Sequence, residues 1–165
     1  MISCPYSRYL ALCGTTLLVG AFSACKKDSP PPALDANTAT LASHPWRISA
    51  YLDTDNTVAP PKTVDVYPGF PAHRRDDTYQ FNGDNSLVFE EGPLKAKATD
   101  VQSSAGKWQF YSDQTGLAIT LARVVALGTT GSSNTSSYRI VKLSPDTLRI
   151  QGGSVAQTIV VTLVK

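Results

Sequence analysis

The chain has 165 residues, with 15 Lys and Arg against 13 Asp and Glu, for a net charge of +2. A balance this close to neutrality gives no basic footprint of the kind that nucleic-acid-binding proteins need. All three cysteines, Cys4, Cys13 and Cys25, lie in the first 25 residues, so a domain formed by the rest of the chain contains no disulfide.

The first 25 residues have the layout of an export signal. Arg8 precedes an apolar run over residues 10–22, which is too short to cross a bilayer as a helix. The segment Phe22-Ser23-Ala24-Cys25 resembles a bacterial lipobox, in which the cysteine is acylated and becomes the first residue. The resemblance predicts a signal peptide over residues 1–24 and a lipid on Cys25 that attaches the chain to a membrane.

Residues 25–41 are predicted to form a tether between the lipid and the folded domain. Pro30-Pro31-Pro32 favours an extended polyproline II conformation, and the residues after it show no periodicity. Lys26-Lys27-Asp28 resembles the charged tag that directs lipoproteins of the Bacteroidetes to the cell surface. It is equally compatible with retention on the periplasmic side of the outer membrane, so both faces of the envelope stay open.

The remaining residues, 42–165, alternate between apolar and polar side chains in short runs, the pattern of half-buried strands. In the first strand, Trp46, Ile48 and Ala50 are expected to face inward. Residues 53–77 form a proline-rich excursion that is either functional or loosely ordered. The predicted strands are residues 46–52, 78–81, 86–90, 106–111, 117–122, 138–143, 147–150 and 158–164.

Eight consecutive strands with mostly short connections predict an all-β fold. An antiparallel up-and-down barrel removes exposed sheet edges and is the first expectation. The last strand is apolar on both faces, which suits pairing with the first strand or a cover from the long excursion. A two-sheet β-sandwich is the alternative.

Four segments carry a family resemblance: the Trp46-led strand, residues 76–82, Gly106-Lys107-Trp108 and residues 138–144. Together they resemble the lipocalin-like domain of Bacteroidetes lipoproteins, over roughly residues 41–165. The resemblance implies an eight-stranded barrel. The four segments are signatures of the fold and indicate no catalytic activity. His44 stands where lipocalins often have glycine before the tryptophan, and the cysteine pair of many relatives is absent.

The polar residues do not form a recognisable catalytic or metal-binding motif. His44 and His73 are far apart in sequence, and Asp53-Thr54-Asp55-Asn56 lacks the glycine and the distal glutamate of a calcium-binding loop. Asp76 and Asp77 are expected at a strand entrance, and the spacing defines no carboxylate partner for Glu90 or Glu91 at the end of the second hairpin strand. We therefore predict no enzyme activity, no cofactor and no metal.

The large aromatic residues of the strands are the candidates for a barrel interior. A barrel of this size is either filled by side chains or holds one small ligand. Two functions follow: a carrier for a small apolar or amphipathic molecule, or a filled barrel that contacts an envelope protein. The inward-facing candidates are Trp46, Tyr79, Phe81, Phe89, Trp108, Phe110 and Tyr138.

Overall fold

A computed structural model of the chain describes residues 33–99, 101–121 and 135–165. The predicted signal peptide, Cys25 and the first part of the predicted tether lie outside these residues. The described part is all-β, as the sequence predicted, with short helices confined to its N-terminal segment and to one connection. Among the described residues, no helix is long and apolar enough to cross a membrane.

All eight predicted strands are present, and the described residues contain a ninth, β2, inside the long excursion. The strands are β1 Arg47–Asp55, β2 Lys62–Asp65, β3 Thr78–Phe81, β4 Ser86–Glu90, β5 Ser103–Tyr111, β6 Gly116–Leu121, β7 Thr135–Ser144, β8 Thr147–Gly153 and β9 Gln157–Val164. Two α-helices, α1 (Ala36–Leu41) and α2 (Ala72–Arg75), and one 3-10 helix (Tyr67–Gly69) complete the elements.

The strands form one antiparallel sheet in the order β2-β1-β9-β8-β7-β6-β5-β4-β3. This is the up-and-down order predicted from the sequence. One of the two expectations for the last strand was that it pairs with the first, and β9 does pair with β1. The sheet is not closed by a continuous ladder, which also agrees with the sandwich alternative. A single antiparallel bridge links Trp46 to Tyr79, through backbone N to O distances of 2.9 and 2.8 Å.

The predicted hairpin of β3 and β4 forms because its turn residues satisfy their own backbone. Asp84 Oδ1 accepts hydrogen bonds from Ser86 N at 3.0 Å and from Ser86 Oγ at 2.6 Å. Asn85 has φ of 67°, a conformation that asparagine adopts more readily than most residues. The turn thus fixes the register that pairs Tyr79 with Phe89.

The inward face of β1 differs from the prediction after Ile48. The sequence pattern placed Ala50 inside and Tyr51 outside, but the pairing with β9 shifts between Ile48 and Ala50. Ser49 is an extra residue at this bulge, and an extra residue reverses the direction of the side chains that follow. Tyr51 is therefore in the core, with only 8% of its surface exposed.

The end of the predicted tether is folded. Residues 36–41 form α1, which Asp35 caps by accepting hydrogen bonds from the backbone N of Asn37 (3.1 Å) and Thr38 (3.0 Å). Leu41 is fully buried, and its carbonyl accepts a hydrogen bond from Trp46 Nε1 at 2.8 Å. The folded part therefore begins before residue 42. A helix of six residues buries too few apolar side chains to produce a readable period.

The start of the described chain lies at one end of the sheet, which we call the N-terminal end. Leu34 packs beside Gly83 in the β3–β4 turn, where an added Cβ would lie 2.7 Å from its methyl group. His44 Nε2 is 2.8 Å from the carbonyl oxygen of Pro145 in the β7–β8 turn. Because neighbouring strands are antiparallel, the β1–β2, β4–β5 and β8–β9 connections lie at the opposite end.

Candidate ligand site beneath the β2–β3 connection

Residues 66–77, here called the cover segment, lie where β1 and β3 would have to pair to close the sheet. The backbone N of Val66 donates to Tyr51 O at 2.9 Å. The ring of Phe70 lies 5.4 Å from that of Tyr51 and 5.7 Å from that of Tyr67. Side chains of the cover segment, in place of a β-ladder, therefore shield this part of the core.

The cover segment is held by short elements. Helix α2 has four residues, and no side chain caps its N-terminus. Arg74 places its guanidinium carbon 5.0 Å from the centre of the Phe70 ring, a cation–π contact. Segments with few buried contacts open at lower free energy than paired core strands. We therefore expect this connection to open at lower free energy than the paired strands beside it.

Three tyrosines bring hydroxyl groups into the interior behind the cover segment. Tyr79 is fully buried, and its hydroxyl has no hydrogen-bond partner among the described residues. Burial, with a smaller contribution from Asp77, raises the pKa of Tyr79 far above its ordinary value. Burial also raises the pKa of Tyr138 to about 12, and Tyr138 interacts electrostatically with both Tyr79 and Tyr51.

Two carboxyl groups face each other across strands β3 and β4. The β3–β4 register pairs Thr78 with Glu90, and its continuation places Asp77 opposite Glu91. Both residues are buried, Asp77 in phase with Tyr79 and Glu91 in phase with Phe89. The pKa of Asp77 is raised to about 6, mainly by burial and in smaller part by the charges of Asp76 and Glu91, against a hydrogen bond from Gly92 N that lowers it.

Asp76 lies beside this pair, against the loop that follows β4. Its Oδ2 accepts a hydrogen bond from Leu94 N at 2.9 Å. Its Oδ1 is buried and finds no hydrogen-bond partner in the described part of the chain. The carboxylate packs so closely on Gly92 that a Cβ there would overlap it. Glycine at position 92 is therefore required for this arrangement.

The described residues line surface clefts that include the following three. One of about 460 Å³ follows the interruption between β1 and the cover segment and is lined by Arg47, Ile48, Tyr67, Arg75 and Asp76, among others. A second, of about 470 Å³, lies between the ends of β1 and β2 and the start of β9. The third, of about 690 Å³, borders β4, β5 and β6. The first therefore brings solvent to Asp76.

The predicted interior aromatics are almost all in the core. The exposed fraction is 4% or less for six of them: Trp46, Tyr79, Phe81, Phe89, Trp108 and Tyr138. Phe110 is half-buried and packs against the cluster. Ring centres are 5.2 Å apart for Tyr79 and Phe89, 5.9 Å for Phe81 and Trp108, and 5.2 Å for Trp108 and Phe110. These contacts describe a packed core.

The polar residues weighed in the sequence have local roles. His44 contacts the backbone of Pro45 and Pro145, and the carboxylate of Asp53 accepts from Gln157 Nε2. Asp55 Oδ1 accepts from Thr57 N at 2.8 Å, which makes a turn. Within the described ranges, no group of three or more His, Cys, Asp or Glu side chains has an arrangement that could hold a metal ion.

Sequence reasoning missed the carboxyl pair. The hairpin was predicted with the observed strands, so its register already implied Asp77 opposite Glu91. Asp77 was assigned instead to an exposed strand entrance because aspartate is rarely buried. The in-phase position of Asp77 with Tyr79 and Phe81 was the signal that could have placed it inside.

A comparison with solved structures finds two proteins from Bacteroides to which this chain is similar. A lipocalin-like protein from Bacteroides uniformis aligns over 74% of this chain and 96% of its own, at 14% identity and a TM-score of 0.44. An uncharacterized protein from Bacteroides eggerthii aligns over 72% and 95%, at 12% identity and a TM-score of 0.41.

No protein-family model matches the chain. No curated protein matches it either.

Proposed function

We propose that this chain is a lipid-anchored protein of the bacterial cell envelope whose domain binds a small amphipathic molecule beneath the cover segment. The lipid on Cys25 holds it to the outer membrane.

The observation that carries the binding proposal is the hydroxyl of Tyr79. It is fully buried, and the described residues offer it no hydrogen-bond partner. A buried hydroxyl without a partner costs roughly 1–3 kcal/mol, so a polar atom from outside the protein is strongly favoured there. A ligand would satisfy the hydroxyl with its polar group and place its apolar part against the aromatic rings.

A route to this hydroxyl is available through the cover segment. Between β1 and β3 the described residues form a single bridge, Trp46 to Tyr79, and the rest of the interruption is covered by the side chains of Tyr67 and Phe70. Moving these side chains breaks no β-ladder. Ligand sites with an apolar body and a few convergent polar groups have this composition.

Binding is tested by calorimetric titration of 1-octanol into the purified chain. We expect a saturable signal together with a change in tryptophan emission, because Trp46 is next to the bridge. Tyr79→Phe keeps the ring and removes the hydroxyl, and we expect it to weaken octanol binding. Tyr111→Phe removes a hydroxyl that bonds Tyr138 O elsewhere and serves as the matched control. No saturable binding of octanol would contradict the proposal.

Anchoring is tested separately through the cysteines. Cys25→Ala should abolish labelling by a palmitate analogue and release the protein from the membrane fraction. Cys13→Ala, within the apolar run of the predicted signal peptide, should leave labelling intact. Labelling that survives Cys25→Ala would exclude the lipobox assignment.

The close packing of the interior aromatics favours a second function, in which the filled domain contacts an envelope protein. Val155, at the tip of the β8–β9 connection, is 97% exposed, and Val58 in the neighbouring β1–β2 connection is also exposed. Asn56 joins the two connections through hydrogen bonds to Val155 O and Ala156 O. A photocrosslinker at position 155 should capture a partner in intact cells, whereas one at position 146, at the N-terminal end, should not.

A further inference from the structure

The open cleft of about 460 Å³ between β1 and the cover segment has one arginine on each side. Arg47 is the first residue of β1, and Arg75 is the last residue of α2. Both side chains are exposed to solvent. The two guanidinium groups that line this cleft therefore belong to different parts of the fold, one in the sheet and one in the cover segment.

Neither of these guanidinium groups is neutralised by the protein. Among the described residues, Arg47 and Arg75 form no ion pair, side-chain hydrogen bond or ring contact. Asp76 lines the same cleft, but its Oδ2 accepts a hydrogen bond from Leu94 N and its Oδ1 is buried. Arg74, the neighbour of Arg75, differs because its guanidinium lies over the ring of Phe70. The positive charges of Arg47 and Arg75 are therefore available to a ligand.

The remaining lining of the cleft combines a hydroxyl group with apolar surface. Tyr67 is half-buried, and its hydroxyl forms no hydrogen bond in the described part of the chain. Ile48, Ala72 and Val164 contribute apolar side chains to the same lining. Ligand sites commonly combine apolar surface with a few polar groups that fix the orientation of the ligand. This lining suits an anion that carries an apolar or aromatic group.

The donors of the cleft suit a phosphate better than a carboxylate. A guanidinium binds either group through two parallel N–H to O hydrogen bonds. A carboxylate has two oxygens and one negative charge, whereas a phosphate monoester has three terminal oxygens and close to two negative charges above pH 7. Two guanidinium groups and a phenol hydroxyl match the larger number of oxygens and the higher charge.

We propose that this cleft binds a phosphate monoester, with the phosphate between Arg47 and Arg75 and the organic group against Tyr67 and Ile48. The bound phosphate connects β1 to α2, so it holds the cover segment against the sheet. The inference does not depend on ligand binding at Tyr79.

The binding test compares three compounds that share one aromatic ring: phenyl phosphate, sodium benzoate and phenol. In calorimetric titrations of the full chain at pH 8, we expect saturable binding of phenyl phosphate at least about tenfold tighter than that of benzoate. Phenol should give no saturable signal. Equal affinity for phenyl phosphate and benzoate, or no binding of phenyl phosphate, would overturn the proposal. Neither result affects the octanol test of Tyr79.

Variants of exposed arginines separate a defined site from general surface charge. Arg47→Gln and Arg75→Gln should each weaken the binding of phenyl phosphate about tenfold or more, and the corresponding Lys variants should keep part of the affinity. Arg149→Gln, on the exposed face of β8 and outside the cleft, should bind as the wild type does. Thermal melting confirms that each variant is folded. An equal loss of affinity in all three Gln variants would show binding to surface charge alone and would overturn the proposal.

Hydrogen exchange tests the connection between β1 and the cover segment. Phenyl phosphate should slow amide exchange in residues 66–77 of the wild type, and the same concentration should have no such effect on Arg75→Gln. Saturable binding that leaves exchange in these residues unchanged would overturn the bridging arrangement.

Competition with vesicles identifies the source of the phosphate. Displacement of phenyl phosphate by vesicles that contain phosphatidic acid, and not by phosphatidylcholine vesicles, would support the site with a lipid head group as its ligand. Displacement by inorganic phosphate without an effect of either vesicle would support the site with a soluble phosphate as its ligand. Displacement by none of the three would overturn the proposal.

Discussion

The indole of Trp108 is fixed on all sides, which makes it the best single residue for testing the core. Its Nε1 donates to Asn82 O at 3.0 Å, and edge-to-face contacts join it to Phe81 and Phe110. We expect Trp108→Ala to lower the free energy of unfolding by about 3–5 kcal/mol, measured by urea denaturation. Lys107→Ala, on the exposed face of β5, should be nearly silent. A wild-type stability for Trp108→Ala would contradict the packing described.

Asp77 makes the stability of the domain depend on pH in a defined direction. Its pKa is about 6 in the folded state, above the ordinary 3.8, so the folded state binds this proton more tightly than the unfolded state. The stabilising contribution is complete below about pH 4 and is lost as the pH rises through 6. Relative to Asp77→Asn, the wild type should therefore melt at progressively lower temperature over this range. If the melting temperatures of the wild type and Asp77→Asn changed by the same amount over this pH range, Asp77 would not titrate there.

At the scale of single residues, the sequence predicted the burial of apolar side chains better than the burial of polar ones. Six of seven aromatics are buried as expected because alternation within a strand assigns them to one face. Asp77 and Glu91 follow the same alternation, but general preferences assign carboxyl groups to the surface. Their alternation with Tyr79 and Phe89 indicated the inward face, but whether that position is buried also depends on the neighbouring cover segment and loop.

Among the elements, hairpins were predicted well because the residues of the turn and of the adjoining strands specify them. The turn at residues 82–85 combines asparagine, glycine and aspartate, and the observed strands end at either side of it. The bulge in β1 was not predicted, since the residues Ile48-Ser49-Ala50 fit uninterrupted alternation equally well. Its presence depends on the register with β9, more than 100 residues away.

Leu41 is the apolar side chain through which helix α1 packs into the core. Leu41 is fully buried in a cluster with the aromatic core. We expect Leu41→Ala to lower the free energy of unfolding by about 2–5 kcal/mol. Asp35→Ala, which removes only the helix cap, should cost about 1 kcal/mol. Urea denaturation of the two variants measures both. Equal and negligible effects would place residues 36–41 in the tether, as the sequence alone suggested.

At the scale of the molecule, topology followed from the order and spacing of the strands. Short connections between antiparallel strands give neighbours in sequence that are neighbours in space, and β9 returns to β1. The incomplete closure could not be predicted in this way. It depends on β2, which pairs with the edge of β1 from Leu52 to Asp55, and on residues 66–77, which carry aromatic side chains without strand periodicity.

The folded part of the chain contains no cysteine, so its stability depends on non-covalent contacts alone. We expect the midpoint of urea unfolding to be the same with and without dithiothreitol, because no disulfide restricts the unfolded chain. Cys25→Ala serves as the reference that removes the cysteine nearest to the domain. A reductant-dependent midpoint that disappears in this variant would reveal a cross-link between chains.

The position of α1 also determines how the domain responds to mechanical tension. A pull applied at residue 33 acts first on α1, on the hydrogen bond of 2.7 Å between Asn37 and Gln114, and on the contact between Trp46 Nε1 and Leu41 O. Residues 33–41 extend to roughly 30 Å when straightened. The molecule therefore lengthens under load before any strand separates from β9, and the sheet stays intact while its attachment is stretched.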